Sequence, residues 1–286
     1  MYKTKRVIFF LLPGSALLLL FYVIPLIGGI QYSLQDGTVR HAFVGLENYR
    51  SLWANPMFQL GMRNTLELSL IGAPTLWLLS LMLASGLSDI YPRGGFARAS
   101  ILIPYLAPTS ALILVWLVFF DYGGWINLLL NALGMERVEW LSSGAIRIPV
   151  LIMFLWKNLG LCVVIFLSAI RSVPDSLYES AELDGIRWFR KMFSITLPMI
   201  RPSSYLIFIL SWINAFRIFS DIYFIAGPYP DETVYTLQHY MNNTYEKMNY
   251  QMVTSAAYSF ALIVLVLFGV LFFLQQRSAD AVSGEA

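Results

Sequence analysis

The sequence predicts an all-α integral membrane protein with six transmembrane helices, organised as one domain over residues 1–286. Three observations predict it. Hydrophobic residues make up 58% of the chain and charged residues only 13%, against about 25% charge in a soluble domain. A soluble core does not need so little charge, so the lipid bilayer is the expected surrounding. Six apolar stretches, at about 7–30, 65–87, 99–120, 148–170, 203–226 and 253–274, each reach the ~20 residues that cross a ~30 Å hydrocarbon core. Each should be helical, because a span in lipid must satisfy its own backbone hydrogen bonds. Finally, Lys and Arg concentrate in alternate connections. Segments 1–6, 88–98, 171–202 and 275–286 hold eleven of them, Arg93 and Arg98 included, whereas the longer segments 31–64, 121–147 and 227–252 hold six. This asymmetry places both termini on the cytoplasmic side of a multi-pass protein.

The first span follows "MYKTKR". A cleaved signal peptide is the competing reading, but the apolar run from Val7 to Ile30 is longer than such a segment needs and no small-x-small site follows closely. It is read as a retained helix. In the next connection, "FVGLENYRSLWANPMF" spaces its aromatic and leucine residues as a helix lying at the interface would. "GGWINLLLNALGMERVEWL", after the third span, reads the same way. Either could cap the spans at headgroup level or offer a docking surface. Pro13 and Pro25 in the first span, Pro74 in the second and Pro104 and Pro108 in the third predict kinks. The tail "RSADAVSGEA" is expected to be disordered. One cysteine, Cys162, excludes an intrachain disulfide, and two histidines, His41 and His239, leave too few ligands for a Cys/His metal site.

The connection 171–202 is the longest one expected on the cytoplasmic side. Pro174 starts a helix well and Asp175 suits its first turn, where the helix dipole favours a carboxylate. Leu177, Ala181 and Asp184 share one face. Gly185 is placed to end the helix in a left-handed conformation. A second short helix follows, with Trp188, Phe189, Met192 and Phe193 on an apolar side and Arg187, Arg190 and Lys191 on a basic one. Pro198 and Pro202 are expected to stop it. As a plain surface hairpin, this segment would bury Trp188 and Phe193 against the spans.

Glu179-Ser180-Ala181, three residues, Gly185, nine residues, Ile195-x-Leu197-Pro198 resembles the EAA signature of permease subunits of ATP-binding-cassette importers. Ser180 in place of the middle alanine is the single departure, and it keeps the position small. "LIPYLAPTSALILVW", "FLWKNLG" and "FRIFSDIYFIAGPYPDETVYTLQHYM" are similar to the carbohydrate branch of that family, the maltose and glycerol-phosphate types. The resemblance implies that Glu179, Ser180, Ala181, Asp184 and Gly185, with Ile195, Leu197 and Pro198 behind them, couple the spans to a groove on a separate ATPase. It implies the partners: a second six-span permease, an ATPase dimer carrying ATP and Mg, and an extracytoplasmic solute-binding protein. No nucleic acid and no directly bound cofactor are expected. The place implied is a bacterial or archaeal cytoplasmic membrane. The chain has no G-x-x-x-x-G-K-[ST] loop, so ATP chemistry of that kind is delegated.

Polar residues within spans are candidates for the path itself. Lys157 and Asn158 lie near the middle of the fourth span. In the fifth, Ser211, Asn214, Arg217 and Asp221 would share one face of a continuous helix, and Arg217 and Asp221 could pair. Asn158, Asn214, Arg217, Asp221 and Trp212 form the candidate substrate path, with Trp156, Phe216 and Tyr258 as further aromatic candidates. Snorkelling of Arg217 and Asp221 to an interface is the bland alternative, and Glu67 is given no role. An importer for a non-sugar solute remains the alternative function. A lipid-modifying membrane enzyme is disfavoured, because no paired histidines, metal-type Asp cluster or nucleophile motif stands in the sequence. A purely structural membrane protein would leave the 179–198 spacing unexplained.

Overall fold

The computed structural model describes residues 2–38, 40–90, 95–142 and 144–283. Positions 91–94, with the expected cytoplasmic charge of Arg93, and the last three residues lie outside them. The described residues are almost entirely helical: α1 (Tyr2–Leu18), α2 (Ile24–Ser33), α3 (Glu47–Trp53), α4 (Pro56–Ile90), α5 (Gly95–Leu106), α6 (Thr109–Phe120), α7 (Trp125–Ala132), α8 (Arg147–Ile170), α9 (Asp175–Leu183), α10 (Trp188–Lys191), α11 (Leu197–Met199), α12 (Arg201–Phe216), α13 (Phe219–Ala226), α14 (Leu237–Glu246) and α15 (Tyr250–Ser283). Among them, six helical stretches are long and apolar enough to cross a membrane: Phe9–Ser33, Pro56–Ser88, Thr109–Ala132, Gly144–Ile170, Arg201–Ala226 and Tyr250–Phe273.

Two of the expected spans are interrupted. The third, expected at 99–120, is broken between α5 and α6. Pro108 has no N–H to continue the ladder, and it caps α6 in an extended conformation (φ −59°, ψ 131°). The apolar run then continues past a bend into α7, so the segment long enough to cross ends at Ala132. The fifth narrows at Arg217, the C-cap of α12 (φ −91°, ψ 5°). Arg217, Ile218, Ser220 and Asp221 donate their N–H groups three residues back rather than four, which tightens the turn. In two places the helix widens instead. Ile24 N–H reaches Leu19 and Leu197 N–H reaches Met192, each five residues back, in π turns over Leu19–Val23 and Met192–Thr196. Both turns stand directly before a proline, Pro25 and Pro198. The wider turn relieves the clash between the proline ring and the preceding carbonyls. Pro198 and Pro202 thus lie at helix starts rather than stopping a helix as expected.

The chain forms two compact units, residues 1–62 with 237–286, and residues 63–236. In the first, α15 packs on α2, α3 and α14. The expected interfacial helix is α3, and it is tied down by its own side chains. Asn48 Nδ2 donates to the Ser33 and Gln35 carbonyls at 3.0 and 2.8 Å, and the Tyr49 hydroxyl donates to Ser33 Oγ at 2.8 Å. Tyr258 is occupied here too, its hydroxyl donating to the Leu26 carbonyl. His239, fully buried on α14, is pushed down by desolvation to about 4 and is neutral near pH 7. α15 runs on to Ser283, so the tail expected to be disordered is helical as far as it is described. Extending an existing helix needs no new nucleus.

In the second unit, α5, α12 and part of α13 pack along α8, and α6 packs on α13 and α7. The fully buried Phe154 and Phe166 of α8 fill its centre. Trp77 of α4 sets its ring edge-on to Phe166 and Phe208 and donates from Nε1 to Ser204. The expected interfacial helix after the third span is α7. It is fixed by buried Asn127, whose Nδ2 donates to Val138 O while its Oδ1 accepts from Val138 N, both at 2.9 Å.

Candidate functional site

Two regions of the second unit hold the residues singled out in the sequence. The 171–202 connection forms as a helix, a glycine turn and a second helical segment. α9 starts after Pro174 (φ −60°, ψ 131°) with Asp175 in its first turn. It ends at Gly185, whose φ is +65°. Gly185 N–H donates to Glu182 O at 3.0 Å and Ile186 N–H to Ala181 O at 2.9 Å. This pair of bonds is the Schellman ending, which needs a left-handed residue and so favours glycine. The turn points the chain toward α10 at a fixed angle. Lys191 then returns to α9, pairing with Glu182 at 2.9 Å and lying 5.7 Å above the Tyr178 ring, while Tyr178 Oη is 3.1 Å from Thr196 Oγ1. These contacts brace the two segments as one body.

Glu179, Ser180, Asp184 and Gly185 are exposed on this body and Pro198 is exposed behind them, with Ile195 and Leu197 half-buried. Ala181 departs from the expectation that it meets a partner. It is only 3% exposed, covered by its own chain. Phe193 corrects another expectation: it is 45% exposed, and Met192 and Thr196 are buried in its place. The π turn shifts the register by one residue and rotates Phe193 outward. A cleft of about 280 Å³ lies beside α9, with Asp175, Glu179 and Glu182 facing Arg171 and Lys191.

The second region is the polar interior of the spans. The five path candidates do not converge. Asn158 is buried and its Nδ2 donates to Phe154 O one turn back, at 2.8 Å. Trp212 is 3% exposed, packed between Phe208 and Phe216, so its face is not open for stacking. Asn214 is half-buried and Arg217 is exposed. The narrowed turn at Arg217 breaks the single face that a continuous helix would give. The expected Arg217–Asp221 pair does not form. Asp221, 3% exposed, pairs instead with Lys157 of α8 at 2.8 Å, and Lys157 Nζ also donates to Thr109 Oγ1 of α6 at 2.8 Å. The pairing lowers the penalty of holding either charge inside a span. Trp156, one residue before Lys157, lines the small space beside this triad. Its ring stands edge-on to Trp116 at 5.4 Å.

A third cluster was not anticipated. Arg147, the first residue of α8, donates from Nε to Thr233 O at 2.7 Å and from Nη2 to Asn64 Oδ1 at 2.9 Å, and it pairs with Glu67 at 3.0 Å. Glu67 also pairs with Arg63 at 2.6 Å, and Asn64 Nδ2 donates to the Glu232 and Tyr235 carbonyls at 2.6 and 2.9 Å. Asp231 caps the same segment through Thr233, which holds its carboxyl below the usual carboxylate range. The sequence signal was three ionisable residues at the same ends of the second and fourth spans, with no spacing rule to connect them.

A family model described as "Binding-protein-dependent transport system inner membrane component" matches residues 52–283. The chain belongs to this family. The permease is therefore a multi-pass membrane subunit of a transport system and not an enzyme. It is 30% identical over 262 residues to the trehalose/maltose transport system permease protein MalF of Thermococcus litoralis, covering 90% of this chain and 88% of that one. It is 30% identical over 307 residues to the diacetylchitobiose uptake system permease protein NgcF of Streptomyces coelicolor, covering 98% and 86%. Its fold matches a chain of a bacterial transporter involved in the import of the polysaccharide alginate, with a TM-score of 0.84 over 96% of each chain at 23% identity.

Proposed function

We propose that the permease forms, together with a second six-span permease, the membrane path for a sugar or oligosaccharide, and that α9 couples this path to a separate ATPase dimer. The observation that carries the coupling role is the braced α9 body. Glu179, Ser180, Asp184 and Gly185 stand exposed on a short helix whose exit angle is fixed by the Gly185 turn. Such a body transmits a push without bending. ATP and Mg belong to the partner, and a solute-binding protein delivers the solute from outside. The relatives named for trehalose/maltose and diacetylchitobiose transport support a carbohydrate cargo. Lys and Arg density supports cytoplasmic termini in a bacterial or archaeal inner membrane.

The test uses cells that carry the permease with its partner subunits, and measures uptake of radiolabelled maltose, trehalose and diacetylchitobiose. Uptake of one of these is expected. Glu179→Lys and Gly185→Pro are expected to reduce it at least tenfold while the subunit still inserts in the membrane. Unchanged uptake in both variants overturns the coupling role, and no uptake of any saccharide by the parent overturns the cargo class.

A further inference from the structure

The two interrupted spans meet at one side chain. α5 lies along α8 so closely that a Cβ on Gly160 would come within 1.9 Å of the Ile101 carbonyl oxygen. α12 also packs along α8. The first halves of both spans are thus fixed to the unbroken fourth span. Their second halves, α6 and α13, pack on each other, and α13 touches α8 only in part. Lys157 stands on α8 at the level of both interruptions. It holds Thr109, the first residue of α6, and Asp221, in the first turn of α13, each at 2.8 Å. The remaining space beside the three, walled by Ile113, Trp116, Met153 and Trp156, is about 10 Å³. That is room for one water molecule at most, so a solute passes here only if the second halves move.

We infer that Lys157 is a positioning residue for transport, a clasp whose ammonium holds the second halves of the third and fifth spans against the fourth and whose release lets them move together. The movement has its pivots in place: the gap at Ala107–Pro108 and the narrowed turn at Arg217–Asp221 interrupt the regular helical ladder of these two spans. An ion pair suits a clasp because it is strong when dry and weakens when water enters. The inference rests on the proposed path for its consequence in transport, but the clasp itself is read without a solute.

The test is labelling by a membrane-impermeant maleimide in the assembled transporter, with the buried native Cys162 changed to Ser and a single reporter, Ile113→Cys, on α6. In the parent, labelling is expected to be slow and to accelerate when MgATP drives turnover. In Lys157→Met it is expected to be at least tenfold faster and no longer to respond to MgATP. The exchanged pair, Lys157→Asp with Asp221→Lys, is expected to return the rate to within about threefold of the parent. Thr109→Val keeps the ion pair and tests the clasp if Lys157→Met does not assemble. It is expected to speed labelling of Ile113→Cys on α6, by a smaller factor than Lys157→Met because Asp221 is still held. Equal rates in parent and Lys157→Met overturn the clasp, as does an exchanged pair as fast as the single variant, or Thr109→Val without effect at Ile113→Cys. A parent that never responds to MgATP overturns the role in turnover, while uptake measured as above still decides the coupling role on its own.

Discussion

Arg147 shows how much one side chain organises. From the first residue of α8 it reaches a backbone carbonyl, Thr233, an amide oxygen on Asn64 and the carboxylate of Glu67. A planar guanidinium carries five N–H donors in a fixed fork, so one side chain can reach all three acceptors with its geometry already set, whereas a lysine has three donors on a single nitrogen. Its side chain and that of Glu67 are about one-third exposed, at 34% and 32%, so water screens part of the charge term. The bond to Thr233 O is the part that matters most, because it fixes the segment on which Val234 and Tyr235 are fully or nearly buried. Arg147→Met is therefore expected to loosen residues 231–236 by about 1–2 kcal/mol. Hydrogen exchange in detergent should show it as roughly tenfold faster exchange of the Val234 and Tyr235 amides, which now bond to Asp231 O. Unchanged exchange would mean that Asn64 alone holds the segment.

At the scale of the element, two glycines that look alike in sequence play opposite parts. Gly185 has a left-handed backbone and nothing within 4 Å of an added Cβ. Gly160 has ordinary helical geometry, but the Ile101 backbone fills the place of its Cβ. Gly185→Ala is expected to cost about 1–2 kcal/mol, the penalty of left-handed backbone in an L-residue. Gly160→Ala is expected to cost more than about 3 kcal/mol, because backbone cannot move aside as a side chain can. Thermal midpoints of detergent-purified protein check the order, and an equal loss in both would contradict the α5–α8 contact. The comparison also marks what sequence could reveal. Gly185 was legible because its turn is local, set by the preceding helix and the residues that follow it. The six apolar stretches were legible for the same reason, since length and composition decide whether a helix can span. The break at Pro108 had a signal in the missing N–H, although a kink rather than a gap was expected. Arg217 had none, having neither proline nor glycine beside it. The Lys157–Asp221 pair was out of reach because its members are 64 residues apart. Helical spacing offered Arg217 as a partner only by assuming a continuous helix.

For the whole molecule, the arrangement turns on which end of the spans carries the α9 body. An even number of crossings puts both termini and the 171–202 connection on one side and the 121–147 connection on the other. The positive-inside bias favours the proposed orientation, in which α9 is cytoplasmic and an ATPase could reach it. The bias is counted over short connections, where it works best. Two exposed reporters, Leu183→Cys at the end of α9 and Met135→Cys after α7, test the outcome, since Leu183 is 90% and Met135 57% exposed. With Cys162 changed to Ser, an impermeant maleimide added to intact cells or spheroplasts should label Met135→Cys and leave Leu183→Cys unlabelled until the membrane is permeabilised. In inverted vesicles the order should reverse. Labelling of Leu183→Cys from outside would place α9 beyond the reach of any cytoplasmic ATPase. The exposed carboxylates and the fixed turn of α9 would then need a partner outside the cell, and coupling through this loop would fail on topology before any uptake was measured.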